Sequence, residues 1–402
     1  LDTHTLERER GITIFASQAV FSTDKIEVTL LDTPGHVDFS SETERTLSVL
    51  DYAILVISGL DGVQSHTMTL WKLLKLYNVP TFVFVTKMDF ARKSREEIIE
   101  NLNSELDGEF VDFGDEEAVS ENMALCSESL MEKYLSGEEI DEKEIAEAIK
   151  LRKIFPCFFG SGLKLDGIDK FIKALEEYTI QPEYPEVFGA KVFKISHDSQ
   201  GVRLTHIKVT GGSVKVREMI GDEKISGIRI YSGAKFTTAD EVGSGEICAL
   251  TGLDKTHNGQ GLGFEDAGEK PMLEPVMNYR VVLPDGCDAD TLLPKLRELE
   301  EEDPQLHVTW NSHLKEIHVG LMGEVQAEIL KSIVAERFGV KIDIDSGRVM
   351  YKETVENTVE GVGHYEPLRH YAEVHLIMEQ LPRGAGLIFK TDCSEDTLDR
   401  NW

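Results

Sequence analysis

Cysteine is scarce in this chain, and its few copies do not form a set. Cys126, Cys157, Cys248, Cys287 and Cys393 are spread along 402 positions with no Cys-x-x-Cys pair among them. An odd, scattered number excludes a disulfide framework and a cysteine zinc site, and it fits a reducing cytoplasm. Long apolar runs are lacking too. The longest are strand-sized and broken by polar residues, which leaves no membrane-spanning helix. Basic residues are few: 42 Lys and Arg face 73 Asp and Glu, a net charge of −31 that excludes loose nucleic-acid binding by bulk electrostatics. Internal repeats, low-complexity tracts and a signal-peptide pattern behind Leu1 are all missing.

What remains is an ordinary globular composition, 41% hydrophobic and 29% charged. The length suffices for several domains of roughly 100–200 residues each. Charge is unevenly placed. Nineteen acidic and two basic residues lie between Glu96 and Glu147, whereas nine Lys or Arg face four acids from Gly189 to Lys235. Both stretches read as solvated faces.

The first part alternates strand and helix. "VTLLD" (Val28–Asp32), "AILVIS" (Ala53–Ser58), "TFVFVTK" (Thr81–Lys87) and "FPCFFGS" (Phe155–Ser161) are short, β-branched and aromatic, as parallel strands buried on both faces require. Helical patterns over Thr67–Leu76 and Gly167–Tyr178 complete an α/β doubly wound rhythm. After the spaced prolines of Pro182–Val187, alternating stretches with glycine turns run from Phe188 to Gly263 and predict a small antiparallel β-barrel. A linker over Glu265–Pro275 leads to strand Val276–Leu283, helix Ala289–Glu302, strands Gln305–Trp310 and Glu316–Leu321, helix Gly323–Phe338 and strand Val340–Asp345. That β-α-β-β-α-β order is the ferredoxin-like split βαβ. The expected domains are therefore 1–185, 186–268 and 269–346, with a further α+β domain beginning in 347–402.

In open α/β sheets ligands collect beyond the carboxyl ends of the strands. Here three strand ends carry Asp32-Thr33-Pro34-Gly35-His36, Thr86-Lys87-Met88-Asp89 and Gly160-Ser161-Gly162-Leu163. Together they describe a guanine-nucleotide site lined by Asp32, Pro34, Gly35, Thr86, Lys87, Asp89, Ser161, Gly162 and Leu163. Asp32 can address Mg²⁺ through water, since that ion takes oxygen ligands and keeps much of its hydration shell. Gly35 lets a backbone N–H approach a terminal phosphate. The Asp89 carboxylate can accept both N–H groups of a guanine edge, with the Lys87 stem along the ring. Ser161 and Gly162 can offer a backbone N–H to the guanine carbonyl. His36 can orient the attacking water. Upstream, "ERERGITI" (Glu7–Ile14) adds the Thr13 hydroxyl as a direct Mg²⁺ ligand from a loop that orders around a triphosphate.

These residues, with "SVLDYAILVISGLDGVQSHT", "GLMGEVQAEIL" and "EGVGHYEPLRHYAEVHL", resemble the translational GTPases of the elongation factor G superfamily. Within it the chain is most similar to tetracycline-resistance ribosomal protection proteins. The resemblance implies a P-loop-type GTPase domain, a β-barrel, a ferredoxin-like domain and the start of a fourth. It implies GTP and GDP with Mg²⁺, and the ribosome, its RNA included, as partner. Hydrolysis would drive translocation or release of a bound inhibitor such as tetracycline, in a monomeric cytoplasmic protein. The acidic stretch resembles that family's variable helical region.

Two departures stand out. The family's Asn-Lys-x-Asp begins here with Thr86, whose hydroxyl cannot replace an amide's donors and acceptor together, so a link to the base or phosphate loop is expected to be lost and affinity to fall. No Gly-x-x-x-x-Gly-Lys-Ser/Thr occurs in the 402 residues. The expectation is a GTPase truncated ahead of "ERERGITI", with little turnover by these residues alone; the rival is a non-catalytic ribosome-binding scaffold. Two further clusters bear weighing. His364, His370 and His375 with Glu366 and Glu373 suggest a metal, but His370 and His375 on one strand would face opposite ways. Arg203, His206, Lys208, Lys215 and Arg217 would either meet RNA phosphates on a shared face or simply be solvated.

Overall fold

The computed structural model describes residues 5–125, 128–138, 140–268, 271–345, 347–349, 353–366, 371–382, 385 and 387–391. Contacts divide the chain into two units, Leu1–Arg348 and Val349–Trp402.

The first unit opens with α1 (Thr5–Arg10), β1 (Ser17–Ser22), β2 (Glu27–Asp32), α2 (Ser40–Leu47), β3 (Ala53–Ser58), α3 (Ser65–Leu76) and β4 (Thr81–Thr86). It continues through α4 (Arg95–Glu105), β5 (Phe110–Asp112), α5 (Glu116–Leu125), α6 (Glu128–Ser136), α7 (Glu142–Lys150), β6 (Phe155–Phe159) and α8 (Ile168–Tyr178). A parallel sheet takes the order β3-β4-β6-β5. Its central strand β4 is apolar on both faces because helices cover both. Val83 and Val85 pack with Trp71, Leu73 and Leu102, while Phe82 packs with Met123, Ile149 and Phe171. Each such fully buried side chain stabilises the fold by about 1.5–3 kcal/mol.

The apolar run Val28–Asp32 departs from expectation. It lies outside that parallel sheet and pairs antiparallel with β1, Ser17 opposite Asp32. The turn between them is closed by the Thr23 N–H on the Ile26 carbonyl at 2.9 Å, so a local hairpin takes the strand. Strand β5 is an unforeseen addition at the far edge. Among the described residues β3 is the other edge, with Val56 61% exposed.

Next come β7 (Gly189–His197), β8 (Arg203–Gly211), β9 (Ser213–Lys215), β10 (Met219–Ile220), β11 (Glu223–Lys224), β12 (Gly227–Ser232), β13 (Lys235–Ala239), β14 (Glu241–Gly243), β15 (Ile247–Thr251) and β16 (Gly261–Gly263). Six of them form an antiparallel sheet ordered β13-β12-β15-β8-β7-β16, and β9 pairs with β14. Val192, Ile207, Val209, Ile228 and Leu250 fill its core.

The third part holds β17 (Met277–Val282), α9 (Ala289–Glu302), β18 (Thr309–Asn311), β19 (Glu316–Leu321), α10 (Glu324–Phe338) and β20 (Asp343–Ile344). The order β18-β19-β17-β20, antiparallel throughout, is that of the split βαβ. Leu296 and Leu299 of α9 and Leu330 and Val334 of α10 seal one face of the sheet. The stretch Gln305–Trp310 is not one strand. Pro304–Leu306 form a 3₁₀ turn, His307 is left-handed at φ 39°, and pairing starts only at Thr309. Pro304 has no N–H for a ladder, and the Gln305 side-chain amide donates to the Leu273 carbonyl instead. The last strand is likewise shorter than read, Asp343–Ile344 within Val340–Asp345.

The second unit contains a hairpin of Val359–Tyr365 and Ala372–Met378, with His364 opposite Glu373. Among the described residues no helix is long and apolar enough to cross a membrane.

Candidate functional site

Parallel pairing of β4 with β6, Val85 opposite Phe159, brings their carboxyl ends side by side. The two loops that follow are stitched together. Met88 N–H donates to the Gly160 carbonyl (3.1 Å) and Gly162 N–H to the Thr86 hydroxyl (3.3 Å). Lys87 adopts φ 59°, a left-handed turn that reverses the chain there. Gly160 is obligatory, since a Cβ would lie 2.0 Å from the Asp166 carbonyl oxygen. Asp89 accepts from Lys164 Nζ at 3.0 Å. That hydrogen bond, with help from Ser161, holds the Asp89 carboxyl below its usual range, so it is an ionised acceptor. Thr86, Lys87, Asp89, Ser161 and Gly162 thus share one corner, while Leu163 beside them is 89% exposed. Thr86 is not merely a weakened asparagine: its hydroxyl ties the two loops, and it occupies the Gly162 N–H.

The remaining candidate residues lie beyond β2 and before β1. Asp32 ends that strand, and the Thr43 hydroxyl donates to the Pro34 carbonyl (2.9 Å), pinning the corner on α2. Gly35 is exposed, with nothing within 4 Å of where a Cβ would stand. His36 Nδ1 accepts the Asp38 backbone N–H at 3.2 Å. A neutral ring that accepts at Nδ1 carries its proton on Nε2. His36, 34% exposed at its side chain, is therefore set as a hydrogen-bond donor. Thr13 sits in the segment between α1 and β1, tied on its far side. The buried Glu7 carboxylate accepts from Ile14 N–H (3.0 Å) and Phe15 N–H (3.1 Å), and Glu42 accepts from Ala16 N–H (3.1 Å).

Glu42 is the residue beside the site whose role in the packing sequence reading missed most plainly. Its carboxylate also accepts from Lys194 of β7 (2.8 Å) and Arg45 (2.6 Å), and Arg45 reaches Asp303 behind α9 (2.8 Å). Burial pushes the Glu42 pKa up, but Lys194 and Arg45 outweigh it and hold the carboxyl far below its ordinary value. The Glu42–Arg45 spacing of three was legible; partners 152 and 258 positions away were not. Lys164, one position beyond the Gly160–Leu163 stretch, carried no local signal either.

The five basic residues of the second part do not make an exposed phosphate face. Arg203 is spent on the Leu253 carbonyl (2.6 Å), the Thr256 hydroxyl (2.9 Å) and Glu301 (3.2 Å). Lys208 is buried on the Val49 carbonyl and Asp51. His206 bonds Ser196, and burial, aided by Lys194, pushes its pKa down to about 3. Only Lys215 and Arg217 are exposed, and Lys215 pairs with Glu241. Their alternation on strands was real, but one side of a sheet is its core.

In the second unit His364 meets Glu366 and Glu373, and His375 meets Glu360 and Glu373. Among the described residues no group of three or more such side chains is arranged to hold a metal ion. His370, Cys126 and Cys393 lie outside the described residues. Cys157 and Cys248 are buried, and burial raises both thiols, Cys248 to about 12.

Comparison with known proteins gives a consistent picture. Residues 1–181 match the Elongation factor Tu GTP binding domain, and residues 272–346 match Elongation Factor G, domain III. The tetracycline resistance protein TetP of Clostridium perfringens is 31% identical, over 100% of this chain and 67% of its own length. Elongation factor G 2 of Syntrophus aciditrophicus (strain SB) is 28% identical, over 95% and 69%. The crystal structure of a Thermus thermophilus protein superposes with a TM-score of 0.76 at 22% identity, covering 94% of this chain and 66% of that one. The chain thus spans about two thirds of the length of these relatives.

Proposed function

The chain belongs to the elongation factor G superfamily of translational GTPases, and we propose that it binds GTP in the corner described and hydrolyses it when engaged by the ribosome. The observation that carries this reading is the ionised Asp89 beside the Ser161–Gly162 turn, stitched to β4 through Thr86. An ionised carboxylate accepts from both N–H groups of a guanine edge and repels the acceptor that adenine presents there. Lys164 would yield its place on Asp89 to the base. On the phosphate side, Gly35 offers an unhindered N–H and His36 a donating Nε2. The donor then orients a water against the terminal phosphoryl group, leaving proton removal to that group or to solvent.

Mg²⁺ fits the donors at hand. The Thr13 hydroxyl and Asp32 carboxylate are hard oxygen ligands, and one carboxylate with phosphates and water is a usual Mg²⁺ set. They would hold it, and the ion would neutralise charge developing between the β- and γ-phosphates. Glu7 and Glu42 fix the segment that follows Thr13, through the N–H groups of Ile14, Phe15 and Ala16.

At the ribosome the work done is translocation or ejection of a bound inhibitor such as tetracycline. The relatives' names divide between these two. Factor-dependent movement of tRNA and relief of tetracycline-blocked translation, measured side by side, separate them.

Titration with fluorescent GDP, GTP and ATP, using the protein as its gene encodes it, tests the core of the reading. Guanine binding with ribosome-stimulated phosphate release supports it; ribosome association without either sinks it. Thr86→Val, which removes the hydroxyl at constant shape, is expected to weaken guanine binding about two- to tenfold, the worth of one hydrogen bond. Thr86→Ser should bind as the parent does.

A further inference from the structure

We propose that Asp38 is a positioning residue that sets the His36 ring by docking its own loop onto the N-terminus of α10, an inference resting on the GTPase reading for its catalytic meaning. The first N–H groups of a helix have no partner within it. Helix α10 begins after Gly323, which has no side chain to cap it. Asp38, 287 positions earlier, supplies the cap: its Oδ2 accepts from Val325 N–H (2.9 Å) and Gln326 N–H (3.2 Å). Gln326 answers from the helix, its side-chain oxygen accepting from Met322 N–H at 2.7 Å. The side chain of Asp38 is 9% exposed, and a helix N-terminus favours a negative charge there.

Glycine is what admits it. A Cβ on Gly323 would stand 2.4 Å from both carboxylate oxygens of Asp38, well inside contact distance. The next residue, Phe39, is buried against Ile14 and Ile329 of α10, so loop, Thr13 segment and helix pack as one body. The main chain of the same Asp38 donates to His36 Nδ1 (3.2 Å), and its Oδ1 stands 3.6 Å from that nitrogen. One residue therefore holds α10 with one carboxylate oxygen and sets the imidazole with its backbone N–H and the other oxygen. A shift of α10 displaces Asp38 and releases Nδ1, and the ring then loses the fixed Nε2 proton that orients the water. The third domain's helix in this way sets whether His36 is ready.

Gly323→Ala and Asp38→Ala test this, each attacking the contact from a different domain. In the 402-residue chain both are expected to speed amide exchange at Val325 and Gln326. Both should also turn the His36 ring, followed by its nitrogen NMR signals, from one tautomer into a mixture. In the gene-encoded protein both should lower ribosome-stimulated kcat about five- to tenfold, the worth of about one hydrogen bond, with nucleotide Kd within about twofold. Asp38→Asn keeps an acceptor oxygen and should retain most of the activity, which a purely structural loss would not show. Faster exchange at Val325 and Gln326 with the His36 signals and kcat unmoved overturns the proposal. Should Gly323→Ala fail to fold, the two Asp38 variants decide it. If the parent protein hydrolyses no GTP, the enzyme reading falls, and exchange with the ring signals alone settles the coupling.

Discussion

His36→Ala is expected to cut ribosome-stimulated GTP hydrolysis about 10²- to 10⁴-fold, the usual worth of a positioned proton-handling group. The physical reason is the ring's fixed polarity. With Nδ1 accepting the Asp38 N–H, the imidazole has one free function left, at Nε2. Alanine removes it, and the attacking water must find its geometry unaided. Guanine affinity should be unchanged, because the proposed base site lies on the loops after β4 and β6, whereas His36 follows β2. His36→Gln, whose amide can still donate, should fall between the two. The measurement is single-turnover phosphate release with ribosomes, alongside nucleotide titration. Equal loss of affinity and rate would show that the residue shapes the pocket and does not act on the water.

Glu42→Gln is expected to destabilise the first unit by about 3–5 kcal/mol at pH 7, the cost of removing one partner from a buried ion network. Arg45 and Lys194, 10% and 17% exposed at their side chains, would each keep a charge whose main neutraliser has gone. Asp303 still serves Arg45, which places the effect toward the lower figure. Glu42 also accepts the Ala16 N–H and so fixes the segment behind Thr13. Slower ribosome-stimulated hydrolysis should accompany the lost stability.

The pH dependence has a definite sign. The folded Glu42 pKa lies below its ordinary value of 4.5. Its contribution is therefore complete above about pH 4.5 and disappears as pH falls through the lowered folded value. His206, with its pKa depressed to about 3, acts in the same direction, its contribution declining from its ordinary value of 6.5 downward. Denaturant unfolding of parent and variant should differ most at neutral pH and converge in acid. A constant difference across pH 3–7 would mean that the charge of Glu42 is not what matters.

Much of the architecture could be read directly. The continuous apolar runs of β4 and β6 announce strands covered on both faces, and the side-chain order after Val276 announces the split βαβ. The strand ends at Thr86–Asp89 and Gly160–Gly162 were visible as one corner, because parallel neighbours with short loops must place their carboxyl ends together. The reading failed where a partner, and not a period, decides. Val28–Asp32 has the composition of a parallel core strand, yet a turn nearby offered β1 first. The run from Gln305 looked like a strand until Pro304 and a left-handed His307 took its first half. Lys208 and Arg203 read as either phosphate-facing or solvated, and are neither: Asp51 and Thr256 hold them.

By itself, then, the sequence supplied the residue types proposed to meet a nucleotide: Asp89 for the base, Gly35 and His36 for the phosphates, Thr13 and Asp32 for the ion. Those are fixed locally, by short motifs at strand ends. Only the tertiary structure decided how they are held. Asp38 caps a helix 287 positions away, and Glu42 joins Ala16, Lys194 and, through Arg45, Asp303. Periodicity records whether a side chain is buried or exposed, and it carries no information about which distant charge or unpaired N–H will stand opposite once the chain has folded.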